Sequence, residues 1–189
     1  IKDQFINTLY RSRRGIIFVG EKMHLNYMLP SGKSFTCLEG VDIRGITEDH
    51  KGNIWVATEN QGILRINGNF NNPKSLNIQY YNASNGKFIL NDATKCLEDS
   101  KHRVWVISNG GGLFRYDEKE DKFENVNKAY HWDIDRVFSI IEDSNGCLWL
   151  TTDNALICLE VNDDGEAQYT TYTSEDGLGE LIFQANSCF

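Results

Sequence analysis

At 189 residues, with 40% hydrophobic and 12% aromatic content, the chain holds enough apolar material for a packed core and is not disordered. Its 27 acidic and 19 basic residues give a net charge of −8, which argues against nonspecific attraction to nucleic acid or anionic membrane and favours a neutral or cationic partner. No apolar run approaches the roughly 18 residues of a membrane span. The start, Ile1-Lys2-Asp3-Gln4-Phe5, is neither a signal peptide nor an initiator methionine, as expected of a segment excised from something longer.

Along the chain a short pattern returns. Ser12-Arg13-Arg14-Gly15-Ile16-Ile17-Phe18-Val19 is the first and most divergent copy, and Glu48-Asp49-His50-Lys51-Gly52-Asn53-Ile54-Trp55 opens the second. A third runs from Glu98 to Ser108 and a fourth from Glu142 to Thr152. The last three hold Glu-Asp and, six residues after the aspartate, a tryptophan; Trp55, Trp105 and Trp149 lie 50 and 44 residues apart, and Phe18 stands 37 residues before Trp55. Three residues before the aspartate position come Leu9, Ile46, Cys96 and Ile140, and six before come Ile6, Ile43, Ala93 and Val137. A period of this length built from short strands is that of β-propeller blades.

Period-two patterning bounded by Gly, Asn and Asp predicts the strands of each copy. First strands cover about 41–48, 92–98 and 136–142, and second strands Ile54–Thr58, Val104–Ser108 and Leu148–Thr152. Third strands cover Ile63–Asn67, Leu113–Asp117 and Leu156–Glu160, and outer strands Phe35–Leu38, Ile78–Asn82, Phe123–Val126 and Gln168–Tyr172. The Asp-x-x-Gly turn carries Gly15, Gly52 and Gly146, expected at positive φ, with His102 as the exception. The result is an all-β chain, a β-propeller fragment of about four four-stranded antiparallel blades at 1–40, 41–90, 91–134 and 135–173. Residues 174–189 supply the first strand of a truncated further blade. The turn aspartates read as structural, because Asp accepts backbone amides in tight turns, and the tryptophans with Phe18 read as packing between blades.

Ile43-Arg44-Gly45-Ile46-Thr47-Glu48-Asp49, running through Trp55-Val56-Ala57-Thr58 to Gly62-Ile63, resembles the two-component regulator propeller repeat. So does Val137-Phe138-Ser139-Ile140-Ile141-Glu142-Asp143 through Trp149-Leu150-Thr151-Thr152. The third copy departs at His102 but keeps Gly110-Gly111-Gly112-Leu113, and the last loses one residue in Asp153-Asn154-Ala155-Leu156. Tyr172-Thr173-Ser174-Glu175-Asp176-Gly177-Leu178 resembles the family's entry into a further blade. The resemblance implies an open arc of a seven-bladed propeller, in the periplasmic sensor region of a Bacteroides-type hybrid two-component histidine kinase. It implies a parent protein anchored in the cytoplasmic membrane, oligosaccharide ligands, and no enzyme activity in this segment, the kinase lying elsewhere. Two alternatives stay open: a polysaccharide-active propeller enzyme (lyase or glycosidase), and a noncatalytic propeller for protein contact or dimerisation.

In a propeller the loops joining second to third strands share a face with those joining one blade to the next, and loops that fail to repeat are the better recognition candidates. These hold Asn60, Asn109, Asn154 and the stretch Tyr130-His131-Trp132-Asp133. Trp132 with Tyr130 can stack on a pyranose while His131 and Asp133 bond its hydroxyls; alternatively, the same aromatics seal a blade junction. His24, His50, His102 and His131 are isolated, no His pair has metal-ligand spacing and no nucleophile elbow occurs, so no catalytic residue, metal or cofactor is expected. Five cysteines without CxxC spacing, an odd number, argue against zinc and against a disulfide framework, leaving small buried thiols as the expectation. An arc has two apolar end faces, so a homodimer or contact with the rest of a parent propeller is expected to cover them. No nucleic acid is expected to bind this segment.

Overall fold

The computed structural model describes residues 5–127, 129–132, 134, 136–162 and 164–179. The first sheet comprises β1 (Ile6–Arg11), β2 (Ile17–Glu21), β3 (His24–Met28) and β4 (Ser34–Glu39), and the second β5 (Ile43–Glu48), β6 (Ile54–Thr58), β7 (Ile63–Asn67) and β8 (Asn77–Tyr81). The third comprises β9 (Lys95–Glu98), β10 (Val104–Ser108), β11 (Gly112–Asp117) and β12 (Lys122–Asn125), and the fourth β13 (Val137–Glu142), β14 (Leu148–Thr152), β15 (Leu156–Val161) and β16 (Ala167–Tyr172). Each sheet is antiparallel and ordered as in the chain, and the first strands line the inside of the arc, β5 lying against β1 and β9, and β9 against β13. This is the expected all-β propeller arc of four blades. Second strands fall where the pattern puts them, whereas the outer strands β8 and β12 begin and end one residue early. Of the tail expected to start a further blade, Ser174–Asp176 forms a single 3-10 turn and residues 180–189 lie outside the described residues.

The core sits between blades. Alternate side chains of a strand point to opposite faces of its sheet, so β6 sends Ile54 and Val56 into a cluster with Phe18, Leu25 and Tyr27 of the first blade. It sends Trp55 and Ala57 the other way, against Cys96, Val104 and Phe114 of the third. Trp105 likewise meets Ile140, Leu148 and Leu150 of the fourth blade. Each seam thus sets the aromatic of one blade against the apolar column residue of the next. At the ends of the arc each half lacks its counterpart: Leu9 is 65% exposed, whereas Ile140 in the same column is 0% exposed. Trp149 is only half-buried, covered by Tyr172 of its own blade at 5.8 Å between ring centroids.

One carboxylate per blade organises the turn and the seam together. Asp49 Oδ1 accepts the amides of Lys51 (3.1 Å) and Asn53 (2.8 Å), while its Oδ2 accepts the Trp55 indole N–H at 2.8 Å. Asp99 does the same for Lys101, Arg103 and Trp105, and Asp143 for Asn145, Cys147 and Trp149. The Trp149 indole and the Cys147 amide hold the Asp143 carboxyl below the usual carboxylate range. In the first blade Ser12 replaces the aspartate, accepting the Ile16 amide at 3.0 Å, and Phe18 has no N–H to satisfy. The glutamate beside each aspartate reaches back to the preceding blade: Glu48 accepts the Arg13 amide (2.6 Å), Glu98 the His50 amide (2.7 Å) and Glu142 the Ser100 amide (2.9 Å). Gly15, Gly52 and Gly146 close these turns at φ 76°, 81° and 82°, and His102 does so at 64°, in the left-handed region where glycine is at ease and L residues other than Asn, Asp and His are rare.

A second bolt joins blades two and three. Asp121 accepts from Tyr81 (2.7 Å), Tyr116 (2.6 Å) and Gln79 (2.7 Å) and pairs with Lys87. Burial opposes its ionisation, but the bonds from Lys87, Tyr116, Tyr81 and Gln79 outweigh that and keep the carboxyl well below the usual range.

The cysteine expectation needs correction. Cys147, just before β14, and Cys158 on β15, with Cα atoms 6.1 Å apart, form a disulfide within the fourth blade. An odd count leaves room for one such pair. Cys37 and Cys96 remain thiols, and burial pushes them up to about 11 and about 12.

Two stability measurements check this scheme. Asp99→Ala strands two turn amides and a buried indole N–H and is expected to cost about 2–4 kcal/mol in urea unfolding; Asp143→Ala, at the solvent-facing end of the arc, should cost less. Ile140→Ala is expected to cost about 2–5 kcal/mol, while Leu9→Ala in the same repeat position stays within about 0.5 kcal/mol of the parent.

Candidate functional site

Three of the four innermost strands carry a β-bulge at the same place. Pairing shifts between Ile6 and Thr8, between Ile43 and Gly45, and between Val137 and Ser139, leaving Asn7, Arg44 and Phe138 as the extra residues. A bulge re-aims the side chain it carries, and these three sit on the inner rim of the face that holds the interblade loops. Asn7 donates to Asp42 Oδ1 and to the Ile43 carbonyl, both at 3.0 Å. Arg44 pairs with Asp42 at 3.3 Å and with Glu59. The Arg136 guanidinium lies 5.5 Å over the Phe138 ring and 3.3 Å from Asp153.

These groups run from blade to blade. Asn109 bridges to Arg136 across the third seam, where Lys95 also donates to Ser139 at 3.1 Å. Between blades two and three, burial raises the Asp92 carboxyl, against the Asn109 amide, the Ser108 hydroxyl and the attraction of Arg44, which favour its charge. In the first blade Glu21 is fully buried where the other copies have Thr58, Ser108 and Thr152, and His24 stands 3.9 Å from it. The rim therefore offers alternating carboxylates, guanidinium groups and amides around the propeller axis, with one aromatic. It suits a ligand rich in hydroxyls. It is open on one side, between the end faces at Leu9 and Trp149; the grooves of about 560 and 390 Å³ lie on the opposite face, among the Asp-x-x-Gly turns.

Asn60, Asn109 and Asn154 are exposed on loops of the rim face, beside Glu59, Arg136 and Asp153 respectively. Tyr130 and Trp132 are not surface platforms: they are 6% and 4% exposed and pack with Trp105 and Val126 in the third seam, so their ring faces are already occupied. His131 is exposed but lies out by β16, its carbonyl accepting from Tyr169 at 3.4 Å, away from the inner rim. Asp133 lies outside the described residues. Asp42, Arg44, Asp92, Arg136 and Phe138 were not among the sequence candidates, because they belong to first strands or their flanks and not to the variable loops; the bulges re-aim Arg44 and Phe138. The sequence pattern does not mark the bulges, because polar Thr94 follows the apolar column in the unbulged copy just as Asn7 and Arg44 do in bulged ones.

The histidines are less isolated than their spacing indicates. His24 has Glu21 beside it, and on the turn face the rings of His50 and His102 lie 4.4 Å apart with Glu98 between them.

Four blades, three of them closed by an Asp–Trp lock and the first by Ser12 with Phe18, define a segment of a β-propeller. Residues 37–60 and 133–154 match the two component regulator propeller family, and the chain carries that family's repeats at those positions. No curated protein matches the chain. Among solved structures, the extracellular domain of one hybrid two component system from B. thetaiotaomicron superposes with a TM-score of 0.76 at 22% identity, over 92% of this chain and 23% of that one. A second from the same organism gives 0.72 at 14% identity, over 92% and 25%. A catalytically inactive virginiamycin B lyase from Staphylococcus aureus with quinupristin gives 0.66 at 17%, over 91% and 58%. At these identities the likeness is one of fold, and the chain spans about a quarter of the two sensor domains.

Asp92 provides a test of the rim. A folded-state pKa above the unfolded value of about 3.9 means that the ionised carboxylate is held at a cost to stability. Asp92→Asn is therefore expected to raise the melting temperature at pH 7, and the gain to vanish as pH falls below about 4, where the parent carboxyl is protonated in both states. Thermal melts of the two proteins across that range check it.

Proposed function

We propose that this chain is part of the extracytoplasmic sensing region of a two-component histidine kinase receptor, that its inner rim contributes to an oligosaccharide site, and that neighbouring blades cover its end faces. The observation that carries the reading is the two component regulator propeller repeat at 37–60 and 133–154. The Cys147–Cys158 disulfide agrees with an oxidising compartment outside the cytoplasm. No helix among the described residues is long and apolar enough to cross a membrane, so in this reading an anchor belongs to another part of the parent protein, as does the kinase.

The chemistry of the rim favours a sugar over a lipid or a nucleic acid. Pyranose hydroxyls take paired donors and acceptors, such as Arg44 with Asp42 or Arg136 with Asp153, and a pyranose face stacks on an aromatic ring. Phe138, half-buried on a bulge at the rim, takes the stacking role first assigned to Trp132. The end faces carry complementary halves of the seam, Leu9 on one and Trp149 on the other. A preceding blade would cover the first and a following blade the second; a second copy docked head to tail would cover one of them on each copy.

Titration of plant and host-glycan oligosaccharides with thermal-shift readout tests the assignment. A ligand is expected to raise the melting temperature of the parent and to lose most of that effect with Phe138→Ala and with Arg136→Ala. A ligand whose shift survives both substitutions would remove the rim from the site, and appearance of new reducing ends during the titration would favour the polysaccharide-active enzyme instead.

A further inference from the structure

On the turn face, opposite the rim, His50, Glu98 and His102 converge from two blades. His50 follows the lock aspartate of blade two, Glu98 is the reaching glutamate of blade three, and His102 closes the turn of blade three. Glu98 Oε1 lies 2.7 Å from His50 Nδ1 and 3.8 Å from His102 Nδ1, and one donor atom from each residue lies within 4.8 Å of the others. We infer that these three residues form a binding site for a divalent transition-metal ion of the zinc class, clasping the second blade to the third.

Four features support the assignment. The donor set, two imidazoles and a carboxylate, is one that zinc takes in three-ligand sites with solvent in the remaining position. Donors at about 2.0–2.2 Å from a tetrahedral zinc lie about 3.3–3.6 Å apart, between the 2.7 and 3.8 Å separations seen here, so modest rotation of two imidazoles that border solvent completes the set. The carboxylate is pre-oriented: the Glu98 side chain is only 10% exposed, and its Oε1 is held at 2.7 Å by the His50 amide, the kind of supporting bond that fixes a metal-binding carboxylate. Finally, His102 sits at φ 64° where the other three turns have glycine. Folding alone favours glycine there, so the one copy that departs from it does so with a metal-binding side chain facing another across the seam. The cluster borders an open groove of about 390 Å³ between the two blades, which gives an ion access. Among the described residues the thiols are poor competitors, since burial keeps Cys37 and Cys96 protonated near neutral pH and Cys147 is bonded to Cys158.

Calorimetric titration of the 189-residue chain with zinc chloride under non-reducing conditions tests this, with magnesium chloride, which prefers oxygen ligands, in parallel. The expected result is one zinc per chain and a melting temperature that rises with zinc and not with magnesium. His102→Gly restores the repeat's own residue, so it is expected to fold at least as well without metal, while binding zinc more weakly by at least the ~10-fold lost when an outer-shell partner is removed. His50→Gln should weaken zinc binding similarly. Absence of zinc binding at millimolar concentration, or binding that both variants retain at parental affinity, overturns the proposal.

Discussion

The fold depends on a carboxylate that serves two backbone amides with one oxygen and an indole with the other. In water such a turn is marginal, and a tryptophan buried at a seam needs a partner for its N–H. Joining the two makes each conditional on the other: Trp55 is held at the seam by the same group that closes the turn at Gly52, and so for Trp105 and Asp99. Because neighbouring residues of an extended segment point to opposite sides, the glutamate preceding each aspartate is directed toward the previous blade. The amide it accepts belongs to the residue just after that blade's own aspartate or serine. Glu-Asp thus specifies a local turn and a long-range junction in two letters, which is why so short a motif builds so extended a structure.

Much of this was legible in the sequence, for a physical reason. Seams recur, so residues that pack at them recur, and β6, β10 and β14 can be placed to the residue from their tryptophans. What does not recur is harder to read. Tyr130 and Trp132 stand in a variable loop, and sequence alone does not separate an aromatic that seals a seam from one offered to a ligand; only their burial does. Bulges are invisible to period-two patterning because they interrupt the period, so Arg44 and Phe138 looked like ordinary strand residues until their registers shifted. The His50–Glu98–His102 cluster escaped because metal-ligand spacing is a rule for ligands on one element, and these come from adjacent turns of two blades.

The two faces divide their labour according to how much each must repeat. The turn face is fixed by the lock, and the one departure at its glycine position, His102, is easily seen against Gly15, Gly52 and Gly146. Above the lock, the rim face bears no such burden, since its loops only return the chain. There charged side chains accumulate around the axis, Arg44 on a bulge and Asp92, whose charge burial opposes, on the flank of an unbulged strand. Groups kept ionised against the preference of the fold are commoner at sites than in scaffolds.

An arc built from a heterologous seam has no natural stopping point. Every junction sets an aromatic face against a column face, so the fourth blade presents the first kind and the first blade the second, and neither is complementary to itself. Contact through like faces would leave Trp149 against Trp149 or Leu9 against Leu9, without the size match that fills the interior seams. Unlike faces repeat the interior geometry, and adding blades by that rule turns the arc toward closure. Closure also bears on the rim, because side chains that now line one side of an open curve then surround an axis. Blade packing and ligand access are therefore coupled through the innermost strands, which carry both the column residues of the seam and, at the bulges, the groups of the rim.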